Sequence, residues 1–142
     1  MTTYYARGDT AFNNNVGTAT GTCYNGPGGI YNAITGLGNA TKLAAGDQLL
    51  VYTPTPVNLT RLFEVLLGKD VGTAGWAIGD AVQDNNGGAE WQGVLTNVTT
   101  TTVMVELAVG QDFSDVTQGN GINNTTQTDK IGRASCRERV LS

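Results

Sequence analysis

Histidine is absent from all 142 residues. That removes Ser-His-Asp and Cys-His catalysis and the usual zinc sites, whose chemistry needs an imidazole titrating near neutral pH. Basic residues are scarce: eight Lys and Arg stand against twelve Asp and Glu, for a formal net charge of −4. An acidic chain repels nucleic acid and anionic membrane surfaces, so neither is expected as a partner. Cysteine occurs only at positions 23 and 136, too few for a disulfide framework. The longest apolar stretch, Leu62–Leu67, is broken by Glu64 and falls far short of the about 20 residues a membrane-spanning helix needs. The N-terminus, Met-Thr-Thr-Tyr-Tyr-Ala-Arg, lacks the basic and apolar regions of a signal peptide.

The run Lys130–Val140, K-I-G-R-A-S-C-R-E-R-V, resembles the translation of a synthetic sequencing adapter. The expectation is that the natural sequence gives out near Asp129 and continues in a longer reading frame. Residues 130–142 are then an adapter-derived tail outside the fold, and 117–142 are poorly packed. Without the tail, four basic residues (Arg7, Lys42, Arg61, Lys69) face eleven acidic ones, a net charge of −7. The remaining length suits one domain or two small ones.

What is abundant is Gly, Thr and Asn. Thr fits a pleated surface; Gly and Asn fit tight turns and left-handed backbone. The composition argues for a mainly β protein: an antiparallel meander or small open barrel with one short N-terminal helix. Thr2–Arg7 reads as a strand, followed by a Gly/Asn-rich loop to Gly29 whose Gly26-Pro27-Gly28-Gly29 is a strong turn signal. Ile30, Ala33, Ile34 and Leu37 have helical spacing, with an end by Gly36 or Gly38. Gln48–Tyr52 is a strand, and Pro54 and Pro56 stop pairing beyond it. Leu59–Leu67 fits a helical stripe and a strand alike; its β-rich surroundings favour strand. Trp76–Val82, Trp91–Val98 and Thr102–Val109 form a three-stranded meander, with Asp84–Gly88 as its hairpin turn and Thr99–Thr102 as the second turn. Four segments follow: a cap over 1–56, a meander module over 57–116, a polar loop over 117–129 and the tail.

Two resemblances concern the first and middle parts. The strand at Tyr4-Tyr5, the glycine-rich loop, the helix Ile30–Leu37 and Gly46-Asp47 before Gln48–Val51 resemble the opening of a pectin-lyase-like right-handed parallel β-helix. No ladder of repeated coils follows. Residues 60–113 look like a small β module of phage structural proteins, carried by Leu62–Leu67, Gly79-Asp80, Asn86-Gly87-Gly88, Gly93-Val94, Thr101-Thr102-Val103 and Gly110-Gln111-Asp112-Phe113. Both imply a virion appendage or an extracellular β protein.

Carboxylates are the only acid/base pool. Asp80, Asp84 and Glu90 flank one hairpin, where they could bind Ca²⁺ weakly, but Asp84 stands where turn chemistry wants an Asp anyway. Neither catalytic residues nor a resident metal is expected. Gly26–Gly29 lacks the Lys-Ser/Thr of a phosphate loop, and no cofactor is expected. Trp76 and Trp91, on what read as facing strands, form either a cross-strand core pair or an exposed sugar-stacking platform. Arg7-Gly8-Asp9, five Asn-x-Thr matches and Cys23 are unremarkable in such a chain. The expected function is structural and non-enzymatic: a virion or tail-appendage component that packs against copies of itself or other virion proteins. The alternatives are the front part of an extracellular β-helical polysaccharide-degrading enzyme and a carbohydrate-binding module, each with polysaccharide as its partner.

Overall fold

Strand-forming runs separated by Gly- and Asn-rich turns dominate the chain, and the computed structural model is mainly β. It describes residues 1–8, 10–13, 17–36, 42–52, 61–67, 75–84, 91–111, 113–116, 121–131 and 134–138, with backbone alone at 20, 113, 129–131 and 134–138. Two sheets share one helix. Thr3–Arg7 (β1), Tyr24–Asn25 (β2) and Gln48–Tyr52 (β3) make a three-stranded parallel sheet of order β2-β1-β3. Leu62–Leu67 (β4), Ala81–Asp84 (β5), Gln92–Val98 (β6), Thr102–Leu107 (β7), Ile122–Asn124 (β8), Asp129–Ile131 (β9) and Ala134–Glu138 (β10) make an antiparallel sheet of order β10-β4-β7-β6-β5-β8-β9. This is the expected antiparallel meander and open half-barrel.

The helix α1 spans Gly26–Thr35, not Ile30–Leu37. The Gly-Pro-Gly-Gly run read as a turn is its first turn. Proline is tolerated there because the first helical N–H groups have no intrahelical partner, and its fixed φ already suits a helix. The far end falls where expected, with the Gly36 N–H donating to Asn32 O at 2.8 Å. One face of α1, with Ile30 and Ala33, packs on Tyr4, Ala6 and Tyr24 to form the smaller core.

The larger core lies on one face of the antiparallel sheet. Phe63 and Val65 of β4 pair with Val105 and Val103 of β7, and Leu95 of β6 pairs with Val105. Trp76, Trp91, Val82, Leu107 and Ile122 complete the cluster. Leu62–Leu67 is therefore strand. The competing helical stripe loses because Phe63, Val65 and Leu67 must share one face of a sheet whose partner strands are already in place. A bulge between Leu95 and Asn97 bends β6.

Three expectations fail. Trp76 lies in irregular backbone ahead of β5, not in a strand, and Trp91 sits just ahead of β6. The polar loop expected over 117–129 contains β8, because Ile122–Asn124 pairs with the free edge of β5 and buries Ile122 and Asn124. The tail does not stay outside the fold: β8 pairs with β9, and β10 lies antiparallel along β4. An open strand edge offers unpaired N–H and C=O groups to any extended segment, whatever its side chains.

Candidate functional site

Two places gather groups capable of recognition or chemistry. The first is a seam between α1 and the second face of the antiparallel sheet. Strand alternation turns Val103, Val105 and Leu107 of β7 into the core and sends Met104 and Glu106 to the opposite face. That face is also covered, since α1 lies on it, so Glu106 is only 2 % exposed.

The glycines make this approach possible. Gly26 has φ +75°, and a Cβ there would collide with the Glu106 carboxylate; a Cβ on Gly28 would press into the Thr96 methyl. Asn25, at the N-cap, makes no capping bond with its side chain. Glu106 supplies the acceptor instead, from 78 residues away: its Oε1 accepts the Gly28 N–H at 2.8 Å. The positive end of the helix favours a carboxylate there.

Oε2 accepts the Phe12 N–H at 2.6 Å and the Arg61 Nη2 at 3.4 Å. Arg61, itself buried, also donates through Nε to Leu107 O at 3.2 Å. Asn32 of α1 donates from Nδ2 to Thr96 O at 2.9 Å, while its buried Oδ1 has no partner among the described residues.

Burial pushes Glu106 up to about 7, against the opposing pull of the Gly28 N–H, the Arg61 guanidinium and the Phe12 N–H. A carboxyl poised near neutrality beside a cleft of about 290 Å³, lined in part by Arg61, Gln92, Gly93 and Val109, is where acid/base chemistry would be sought. Here both carboxylate oxygens are engaged inside the protein. Their partners lie in three separated segments: the loop at Phe12, the start of α1, and the residue before β4. The arrangement clamps the N-terminal segment onto the meander.

The second place is β3. Every one of its residues except Leu49 is exposed, and Leu50, Val51 and Tyr52 are 51 %, 43 % and 63 % exposed. They border an open cavity of about 580 Å³ on the parallel sheet, shared with Tyr5, Arg7 and Cys23. Arg7 stacks over the Tyr52 ring with Cζ 5.1 Å from its centre. The Cys23 thiol is buried and donates to Asn25 Oδ1 at 3.2 Å.

Two of the three acidic residues singled out in the sequence, Asp80 and Asp84, are buried. Asp80 Oδ2 accepts from Ala77 N at 3.0 Å, Asn124 Nδ2 at 2.9 Å and Gln127 Nε2 at 3.2 Å. These bonds tie the Trp76–Asp80 turn to β8. Asp84 is buried within β5, and Glu90 lies outside the described residues. No group of three or more Asp, Glu, Cys or His side chains suited to a metal occurs among the described residues.

Trp76 and Trp91 are 4 % and 2 % exposed, and Trp91 meets Phe63 edge to face at 5.4 Å. They belong to the core, and neither presents a ring face on which a sugar could stack. Among the described residues no helix is long and apolar enough to cross a membrane.

Sequence reasoning passed over Glu106 and Arg61. The available signal was a lone acidic residue inside the apolar run Thr102–Val109. Comparison with protein-family models, curated proteins and solved structures finds no match. The architecture and these two sites therefore carry the functional argument.

Proposed function

We propose that this protein is a non-catalytic β scaffold that works by self-assembly, of the kind used in phage virions and tail appendages. One observation carries the reading. Among the described residues, three of the seven large apolar side chains that stand exposed are consecutive, Leu50, Val51 and Tyr52, on a strand at the edge of its sheet. Scattered exposed apolar residues are ordinary, whereas a contiguous patch on an edge strand is a surface suited to another chain. The engagement of Asp80 and Glu106 in internal clamps supports a structural rather than chemical use of the buried carboxylates. The virion setting rests on the phage-module resemblance of residues 60–113.

Size-exclusion chromatography with light scattering on the full 142-residue chain tests the proposal. The expected result is a mass that rises above the 14.8 kDa of one chain as concentration increases. A mass fixed at one chain up to millimolar concentration would refute self-assembly.

A further inference from the structure

The exposed strand also has a sequence that does not suit its position. Q-L-L-V-Y is a nearly continuous apolar run, the pattern of a parallel strand buried on both faces. In the sheet of order β2-β1-β3 it lies at the edge, paired to β1 alone among the described residues. It is apolar toward both sides and exposed at every position but Leu49, which packs against the smaller core. Natural edge strands are usually guarded by a lysine, a proline, a bulge or extreme shortness. Positions 48–52 carry none of these, and the pairing with β1 runs in unbroken register from Thr3↔Gln48 to Arg7↔Tyr52.

We infer that β3 is completed by β3 of a second copy of this chain, the two strands running antiparallel about a two-fold axis at Leu50. This rests on the assembly reading and specifies its surface, partner and register.

Charge selects the occupant and the direction. β3 begins next to Asp47 and ends at Tyr52, which stands beside Arg7. Asp47 is partly exposed, and two backbone donors, Ala44 N–H and Thr2 N–H, hold its carboxyl below the usual range, so it is an anion at neutral pH. Antiparallel pairing about Leu50 sets Gln48 against Tyr52, Leu49 against Val51 and Leu50 against its own copy. The Asp47 end of each chain then faces the Arg7 end of the other, at both ends of the ladder. Two interstrand spacings separate these backbones, about 10 Å, a distance over which charges still attract at low ionic strength. Parallel pairing would set Asp47 beside Asp47 and Arg7 beside Arg7. Pro54 and Pro56, lacking N–H groups, have no donor to offer a ladder continued beyond Tyr52. An isologous contact of this kind uses up the edge and closes at two chains. Five strand residues a side fall short of the roughly 1,200–2,000 Å² of a stable interface, so the dimer is expected to be weak and concentration-dependent.

The test is sedimentation equilibrium of the full chain and four further samples: Leu50→Lys, Leu50→Glu, their equimolar mixture, and Leu66→Lys as a control. Leu50 and Leu66 are both about half exposed, so the variants keep the fold, checked by circular dichroism. The unmodified chain and Leu66→Lys are expected to dimerise alike. Each Leu50 variant alone places like charges directly opposite each other and is expected to weaken dimerisation by about tenfold or more. The mixture is expected to recover it, because only a two-fold at residue 50 sets Lys against Glu. Association that the Leu50 variants leave intact, or that Leu66→Lys abolishes, would overturn the β3 pairing while keeping self-assembly. Leu50 variants that weaken association without recovery in the mixture would overturn the two-fold register. A chain that never associates would refute the underlying proposal as well.

Discussion

The strands β3 and β7 make an instructive pair. β3 reads Q-L-L-V-Y and is exposed at four of its five positions; β7 reads T-V-M-V-E-L and is buried at five of six, its glutamate included. Hydropathy alone would reverse part of that outcome. What separates them is place in the sheet. β7 is central between β4 and β6, with the core on one face and α1 on the other. Among the described residues β3 is an edge with a neighbour on one side. A strand's surroundings decide its burial, and a polar residue caught in the middle must be given partners. Glu106 receives three.

Truncating the buried member of this pair should have the largest effect. Glu106→Ala leaves the Arg61 guanidinium buried without its carboxylate and strips the acceptor from Gly28 and Phe12. It is expected to cost about 3–5 kcal/mol, read by urea denaturation; a loss under about 1 kcal/mol would mean the seam is not a clamp.

The contrast sharpens with one chemistry at two places. Leu107→Ala, deep in the core, is expected to cost about 2–5 kcal/mol. Leu50→Ala on β3 should change monomer stability by no more than about 0.5 kcal/mol. Equal losses at the two sites would erase the distinction between them.

Protons give a third handle. Glu106 holds its proton from the ordinary 4.5 up to about 7 in the folded protein. The folded state therefore binds a proton that the unfolded chain has already released. That contribution to stability is fully present below pH about 4.5 and is lost as pH rises to about 7, on the order of 3 kcal/mol across the window. Glu106→Gln should flatten this part of the stability profile. A variant that keeps the same slope would place the titration elsewhere.

The smallest effect belongs at the rim of β3. Arg7→Gln removes the cation stacked on Tyr52 and should change monomer stability by about 0.5–1 kcal/mol or less. No change in the tyrosine near-ultraviolet signal would show that the stack does not order Tyr52.

Much of the frame was readable from local pattern. Alternation in Thr102–Leu107, the apolar run Gln48–Tyr52 and the glycine after Thr35 each announce their element, because the signal lies in side chains a few residues apart. Leu59–Leu67 was ambiguous because its residues fit both periods, and its described part, Leu62–Leu67, is strand. The first turn of α1 was misread because Gly-Pro-Gly-Gly has turn chemistry, and it becomes helical only when a carboxylate 78 positions later caps it. β8 escaped notice because Ile-Asn-Asn carries no strand signal until Asn124 meets Asp80 and the edge of β5. The tryptophans were correctly offered as core and wrongly placed in strands. Asp80 stood out as acidic, yet two of the three donors it accepts from lie more than 40 positions away.

Short-range chemistry in this chain thus dictates that it is mainly β with one short helix among the described residues, that its net charge is negative, and that its own residues supply no imidazole. Long-range contact dictates the rest: which glutamate is buried, which apolar strand is left at an edge, and which residues close the core. The division has a physical cause. Period and turn preference act over a handful of bonds, whereas burial and charge pairing depend on neighbours that the backbone brings together only after the sheets have formed.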